Sequence, residues 1–143
     1  MDWSTGSPGS RATLFLADYI NNGQPSGSCG IWKSADGGTT WSIKSQSDWP
    51  RGITVDQNQP SRVYASGLRS TSMWGESALG GWGYGGGLVS NDGGETWQMD
   101  SNNPYQPYMN AVTVDLQNPC YLWYATSAGG VLHGPAAPGL PGC

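Results

Sequence analysis

An eight-residue pattern occurs twice in this chain, as Ser34-Ala35-Asp36-Gly37-Gly38-Thr39-Thr40-Trp41 and as Ser90-Asn91-Asp92-Gly93-Gly94-Glu95-Thr96-Trp97. Both copies satisfy Ser-x-Asp-x-Gly-x-Thr-Trp, and an internal repeat constrains architecture before any other feature does. Each copy reads as a turn. Asp36 and Asp92 are placed to accept hydrogen bonds from amides just ahead of them, and the Gly-Gly pair supplies left-handed dihedrals. β-rich segments flank both copies, and Trp41 or Trp97 re-enters the next strand as a large apolar wedge, expected to be mostly buried.

Composition agrees with a chain of short strands. There are 23 Gly and 10 Pro, and 8 Trp and 7 Tyr against 1 Phe, a balance that favours strands and turns over helices. No window carries a sustained apolar stripe of helical period, and 143 residues suit one domain. The 6 Lys and Arg against 10 Asp and Glu leave a net charge of −4, without the basic footprint of a nucleic-acid binder. No run is long and apolar enough to span a bilayer. Residues 1–10 lack the basic-then-apolar build of a signal peptide, yet few charges and abundant Trp, Gly and Ser suit an extracellular protein. Cys29, Cys120 and Cys143 form no zinc or redox spacing, so no metal and no cofactor is expected.

The five fixed positions of each octapeptide (Ser34, Asp36, Gly38, Thr40, Trp41 and Ser90, Asp92, Gly94, Thr96, Trp97) match the Asp-box, or BNR repeat. The chain thereby resembles the sialidases, family 74 xyloglucanases and sortilin-type receptors that carry such boxes. The resemblance implies an all-β fold, a β-propeller in which each box joins the third and fourth strands of a blade, away from the ligand site. With blade strands named A to D, the chain reads B-C-D over residues 11–44 and A-B-C-D over 52–99. It then reads A-B-C over 110–133, with an irregular tail over 134–143. One complete four-stranded blade flanked by two incomplete ones cannot close a propeller, which takes about four to eight blades. The expectation is a partial propeller completed by further blades or by other copies of the chain, because open sheet edges are normally covered.

Alternating strand direction puts the boxes and the A–B turns on one face, and the B–C loops and D–A connections on the other. The resemblance implies that the second face carries the ligand. It gathers Asp18 to Ser28, Ser45 to Arg51, Leu68 to Gly86 and Asp100 to Met109. Trp74, Trp82 and Tyr84 lie between glycines in the longest of these, with Trp49, Tyr105 and Tyr108 in the neighbouring connections. Flat rings beside Arg51, Arg69 and Glu76 suit sugars, which present apolar C–H faces and hydroxyl edges; equally, the rings pack on one another or against a missing blade. Glu76 and Asp48 are the candidate carboxylates for acid/base glycoside hydrolysis, with turn formation the competing role for Asp18, Asp48 and Asp100. Only Arg51 and Arg69 fall on this face, so the arginine triad of sialidases has no counterpart. Cys120, in an A–B turn, is within reach of Cys143, since ten residues from His133 span at most ~36 Å; Cys29 is left free or pairs between chains.

These readings converge on an extracellular propeller module. Its partners would be a carbohydrate or glycan surface, and other copies of the chain or missing blades. A fragment of a secreted xyloglucanase-like glycoside hydrolase, or a purely structural self-assembly module, are the alternatives.

Overall fold

The computed structural model describes residues 2–3, 12–18, 30–46, 48–69, 85–100, 109–127 and 129–136; these form three small antiparallel sheets and no helix. The first sheet joins Asp2–Trp3 (β1), Leu14–Asp18 (β2), Gly30–Ser34 (β3) and Ser42–Gln46 (β4) in chain order. The second joins Asp48–Val55 (β5), Val63–Arg69 (β6), Gly85–Ser90 (β7) and Gln98–Met99 (β8), and the third joins Met109–Val114 (β9), Tyr121–Thr126 (β10) and Val131–Pro135 (β11). The sheets stack in sequence, β2 against β5, then β5 and β6 against β9.

Two departures from the sequence reading matter. The first sheet has a fourth strand, β1, where three were expected: Asp2 and Trp3 pair with Phe15 and Leu14. This stretch shows no strand pattern of its own; the open edge of β2 supplies its hydrogen bonds. The connection expected over Ser45 to Arg51 is also mostly strand. β4 runs to Gln46 and β5 begins at Asp48, so Asp48, Trp49 and Arg51 lie in a strand that pairs with β6. Pro50 is tolerated there because β5 is the edge of its sheet, and the register shifts between Pro50 and Gly52.

Strand alternation decides which neighbouring sheet each side chain meets. Along β6, Val63 and Ala65 turn toward the first sheet and share a core with Phe15, Ile31 and Val55. Tyr64, between them, turns the other way and joins Val89, Val112, Leu122 and Tyr124. The second sheet is therefore apolar on both faces. Gly52 lets it approach the third closely, since a Cβ there would lie 2.8 Å from the Ala111 Cα and 3.0 Å from the Val112 amide.

The registers superimpose from sheet to sheet. Leu14 and Val63 sit opposite Ser34 and Ser90, the first residue of each octapeptide. Val63 and Leu122 sit opposite Val55 and Val114, just ahead of two turns closed by the same bonds: Asp56 N–H to Arg62 O at 3.0 Å and Asp115 N–H to Tyr121 O at 2.9 Å. Phe15, Tyr64 and Trp123 thus occupy one structural position.

Candidate functional site

The two octapeptides form the same hydrogen-bonded turn. Ser34 Oγ donates to Asp36 Oδ1 and accepts the Gly38 amide, both at 2.8 Å. Asp36 in turn accepts the Thr40 amide at 2.8 Å and the Thr40 hydroxyl at 2.6 Å. In the second copy Ser90 bonds Asp92 and the Gly94 amide at 2.8 Å, and Asp92 takes the Thr96 amide at 2.9 Å and its hydroxyl at 2.5 Å. Gly37, Gly38, Gly93 and Gly94 all have φ between 72° and 95°, the left-handed region the pattern requires. The Trp41 and Trp97 indoles donate to the Gly38 and Gly94 carbonyls at 3.0 and 3.2 Å. Both rings are half-buried rather than mostly buried, because that bond ties each to its own turn at the sheet margin.

These carboxylates are spoken for. The Thr40 hydroxyl and amide, with Ser34, hold the Asp36 carboxyl down at about 2. The Thr96 hydroxyl and amide hold that of Asp92 well below the ordinary range. A carboxylate with its lone pairs so occupied is a structural anion, not a general acid. Each turn is also tied to the loop beside it, Gly37 N–H to Ala12 O at 2.8 Å and Gly93 N–H to Ser61 O at 2.7 Å. The repeated turns therefore share a face with the loops leading into β2 and β6.

The opposite face holds a polar row that crosses from the second sheet to the third. Arg51 Nη1 donates to Asn110 Oδ1 at 2.9 Å, and Asn110 Nδ2 donates to Ser127 Oγ at 2.6 Å. Arg51 lies in β5, Asn110 near the start of β9, and Ser127 just after β10. Arg51 and Ser127 are exposed. The row presents a guanidinium, a carboxamide and a hydroxyl to solvent, a set that addresses hydroxyl-bearing ligands. Arg51 is among the expected binding residues. Asn110 and Ser127 are additions, for an Asn at a strand start and a Ser in a turn carry no signal until the fold sets them beside the arginine.

Between the same two sheets lies a buried polar cluster. Arg62 Nη1 stands 3.5 Å from Asp56 Oδ2, with both side chains almost wholly buried. The buried Tyr64 hydroxyl has no partner of hydrogen-bonding geometry among the described residues, and burial pushes it up to about 12 against the opposing pull of the Arg62 charge. Tyr124 Oη reaches the buried Asp100 at 3.4 Å, and burial, then the Asp100 charge, raises its pKa strongly. Asp56 also caps the next turn, accepting the Asn58 amide at 2.8 Å. Expected on the loop face as a turn former, Asp100 is instead enclosed, and this cluster serves the joint between sheets.

The remaining expected residues divide by what is described. Asp48, Trp49 and Arg69 are described for backbone only; in the β5–β6 ladder Asp48 stands opposite Arg69 and Trp49 opposite Leu68. Trp74, Glu76, Trp82, Tyr84, Tyr105, Tyr108, Cys29 and Cys143 lie outside the described residues. Cys120 is disulfide-bonded. His133 Nε2 meets Asp115 Oδ2 at 2.9 Å, and its ring stacks on Trp123 at 3.8 Å between centroids. No cluster of metal-ligating side chains occurs among the described residues.

No family model matches the chain, and no curated protein matches it in sequence. Among solved structures it is similar to an ancestral GH74 enzyme, with a TM-score of 0.59 and 18% identity, over 91% of this chain and 16% of that one. The fold is a partial β-propeller. Its three sheets are blades, β1, β5 and β9 being the first strand of each, and the chain spans about 16% of the length of the enzyme it matches.

Proposed function

We propose that this chain is an Asp-box propeller module of an extracellular protein, binding carbohydrate on the face opposite the repeated turns. The observation that carries this reading is the exposed Arg51–Asn110–Ser127 row, which bridges two blades beside their first strands. Charge-assisted and amide hydrogen bonds of this kind recognise sugar hydroxyls, while aromatic faces take the C–H side of the ring. β6 ends at Arg69 and β7 begins at Gly85, so the two ends of the connection that carries Trp74, Trp82 and Tyr84 stand on this face. The disulfide at Cys120 suits an oxidising compartment.

A glycan array, followed by calorimetric titration of the best glycan, tests this directly. Arg51→Ala is expected to weaken binding about tenfold, the loss of one charged hydrogen bond. Trp82→Ala is expected to weaken it about tenfold or more, as for an aromatic contact of about 1–3 kcal/mol. Unchanged affinity in both variants would overturn the reading. The GH74 neighbour favours a hydrolytic version of the same site, with Glu76 and Asp48 as its carboxylates. Release of reducing ends from a β-glucan, abolished by Glu76→Gln, would establish it, and binding without release would confine the module to recognition.

A further inference from the structure

The first two sheets each close their third strand with a repeated turn, and the third sheet closes its own by other means. Leu14, Val63 and Leu122 share one position, and opposite them stand Ser34, Ser90 and Gly134. Counting on from Gly134, Ala136 falls where Asp36 and Asp92 fall, and Leu140 where Thr40 and Thr96 fall. Neither of these side chains carries an oxygen, so the hydrogen-bonded lock of the first two sheets has no material in the third.

One contact of the turn is nevertheless kept. Gly37 N–H bonds Ala12 O at 2.8 Å and Gly93 N–H bonds Ser61 O at 2.7 Å; in the third sheet Ala136 N–H bonds Cys120 O at 2.8 Å. Ala12, Ser61 and Cys120 each stand two residues before the shared position. The acceptor that docks the turn is thus, in the third sheet, the carbonyl of a disulfide-bonded cysteine. Ala136 itself is buried, in one core cluster with Val112, Val114 and Leu122.

The other two cysteines of the chain are Cys29 and Cys143. Cys29 precedes Gly30, which lies at the far end of β3 from the first repeated turn. That strand alone is ~13 Å long at ~3.3 Å per residue, and two sheet-to-sheet steps of ~10 Å separate it from the third sheet. A disulfide needs its Cα atoms within about 7 Å, which a residue one step from Gly30 does not reach. Cys143 follows Ala136 by ~7 residues, which span up to ~25 Å and return to Cys120 with slack.

We propose that a Cys120–Cys143 disulfide is the lock of the third sheet, a redox-sensitive strap standing where hydrogen-bonded turns lock the first two. Its sensitivity is confined to one sheet. β3 and β7 each have a strand on both sides, whereas β11 pairs with β10 alone among the described residues. A dithiol opens the strap in two exchanges: its own sulfurs join, and Cys120 and Cys143 leave as thiols carrying its two protons. β11 then keeps one ladder and no lock. The turns at Asp36 and Asp92 are closed by oxygen and nitrogen alone, and stay closed. The strap lies on the face of the repeated turns, so this inference stands apart from the glycan reading.

Hydrogen exchange read by mass spectrometry, on the full chain with and without dithiothreitol, tests it. Reduction is expected to lower protection over 131–136 about a hundredfold, the scale of losing one bridge, while β3, β7 and both repeated turns keep theirs. Cys120→Ser and Cys143→Ser are each expected to reproduce the reduced pattern without dithiothreitol. Cys29→Ser is expected to keep the oxidised pattern. Unchanged protection on reduction of the parent chain, or an equal loss in all three sheets, would overturn the proposal. Non-reducing peptide mapping that joins Cys120 to Cys29 would overturn it as well.

Discussion

The two repeated turns have the same local chemistry and different surroundings. In both, Ser, Asp and Thr form one closed set of hydrogen bonds around a left-handed Gly-Gly pair. Among the described residues, only the second packs against a preceding sheet. There Phe15 lies on Gly94, and Lys33 and Lys44 both reach Glu95 at 2.7 Å. Among the described residues the first turn has no such neighbour, and a Cβ at Gly38 would meet only Leu14 and Trp41. The octapeptide thus builds a turn that stands by itself, and the same turn becomes part of a joint when a ring and a cation are delivered to it.

Alanine at the second glycine of each pair should separate the two roles most sharply. Gly94→Ala adds left-handed strain of roughly 1–2 kcal/mol and drives a methyl into the buried Phe15 ring, so a loss of about 3–5 kcal/mol is expected by urea denaturation. Gly38→Ala meets the strain alone, with Leu14 Cδ1 at an ordinary 3.4 Å, and should cost about 1–2 kcal/mol. Equal losses would mean that Phe15 does not bear on the second turn.

A smaller difference is expected from charge. Glu95 is half exposed, so Glu95→Gln should cost about 0.5–1 kcal/mol, less in high salt. Thr39→Glu places a carboxylate in the first turn, where no described residue delivers a lysine, and should leave the melting temperature unchanged within error. A rise equal to the fall at Glu95 would erase the contrast.

The weakest expected signal is one the turns share. Asp36 is depressed to about 2, so its contribution is present above its ordinary value of 3.8 and is lost as pH falls through about 2. Asp92, depressed in the same direction, acts in the same acid range. Solvent screening keeps both contributions small. Asp36→Asn and Asp92→Asn should each flatten the acid limb of a melting-temperature profile and leave it unchanged in shape above about pH 5. An effect confined to one variant would show that the two turns differ in their own chemistry after all.

Much of the fold was legible because its signals are local. Alternating apolar residues around Val112 to Val114 and Val63 to Ala65 mark strands, and the Asp56 and Asp115 turns announce themselves by an aspartate two residues before the amide it caps. The β1 strand was not legible, since Asp2 and Trp3 take their hydrogen bonds from β2. The strand character of Asp48 to Arg51 was hidden by Pro50, which only an edge position excuses. In the candidate site, Arg51 stood out as one of few cations. Its partner Asn110 is 59 residues away, and no local pattern connects them.

The sequence by itself determined the two turns, because every bond that closes them runs between residues no more than four apart. It also determined that the strands would be short, since Gly, Pro, Asn and Asp punctuate the chain at short intervals. Tertiary structure alone decided that Phe15 and Tyr64 are enclosed while Trp123, at the same position of the same unit, is not. It alone set Arg51 against Asn110 and enclosed Asp100 beside Tyr124. The physical reason is the range of the forces involved. A turn is satisfied by its own amides and hydroxyls, whereas burial and pairing across blades depend on which surface, tens of residues away or on another chain, arrives to displace water.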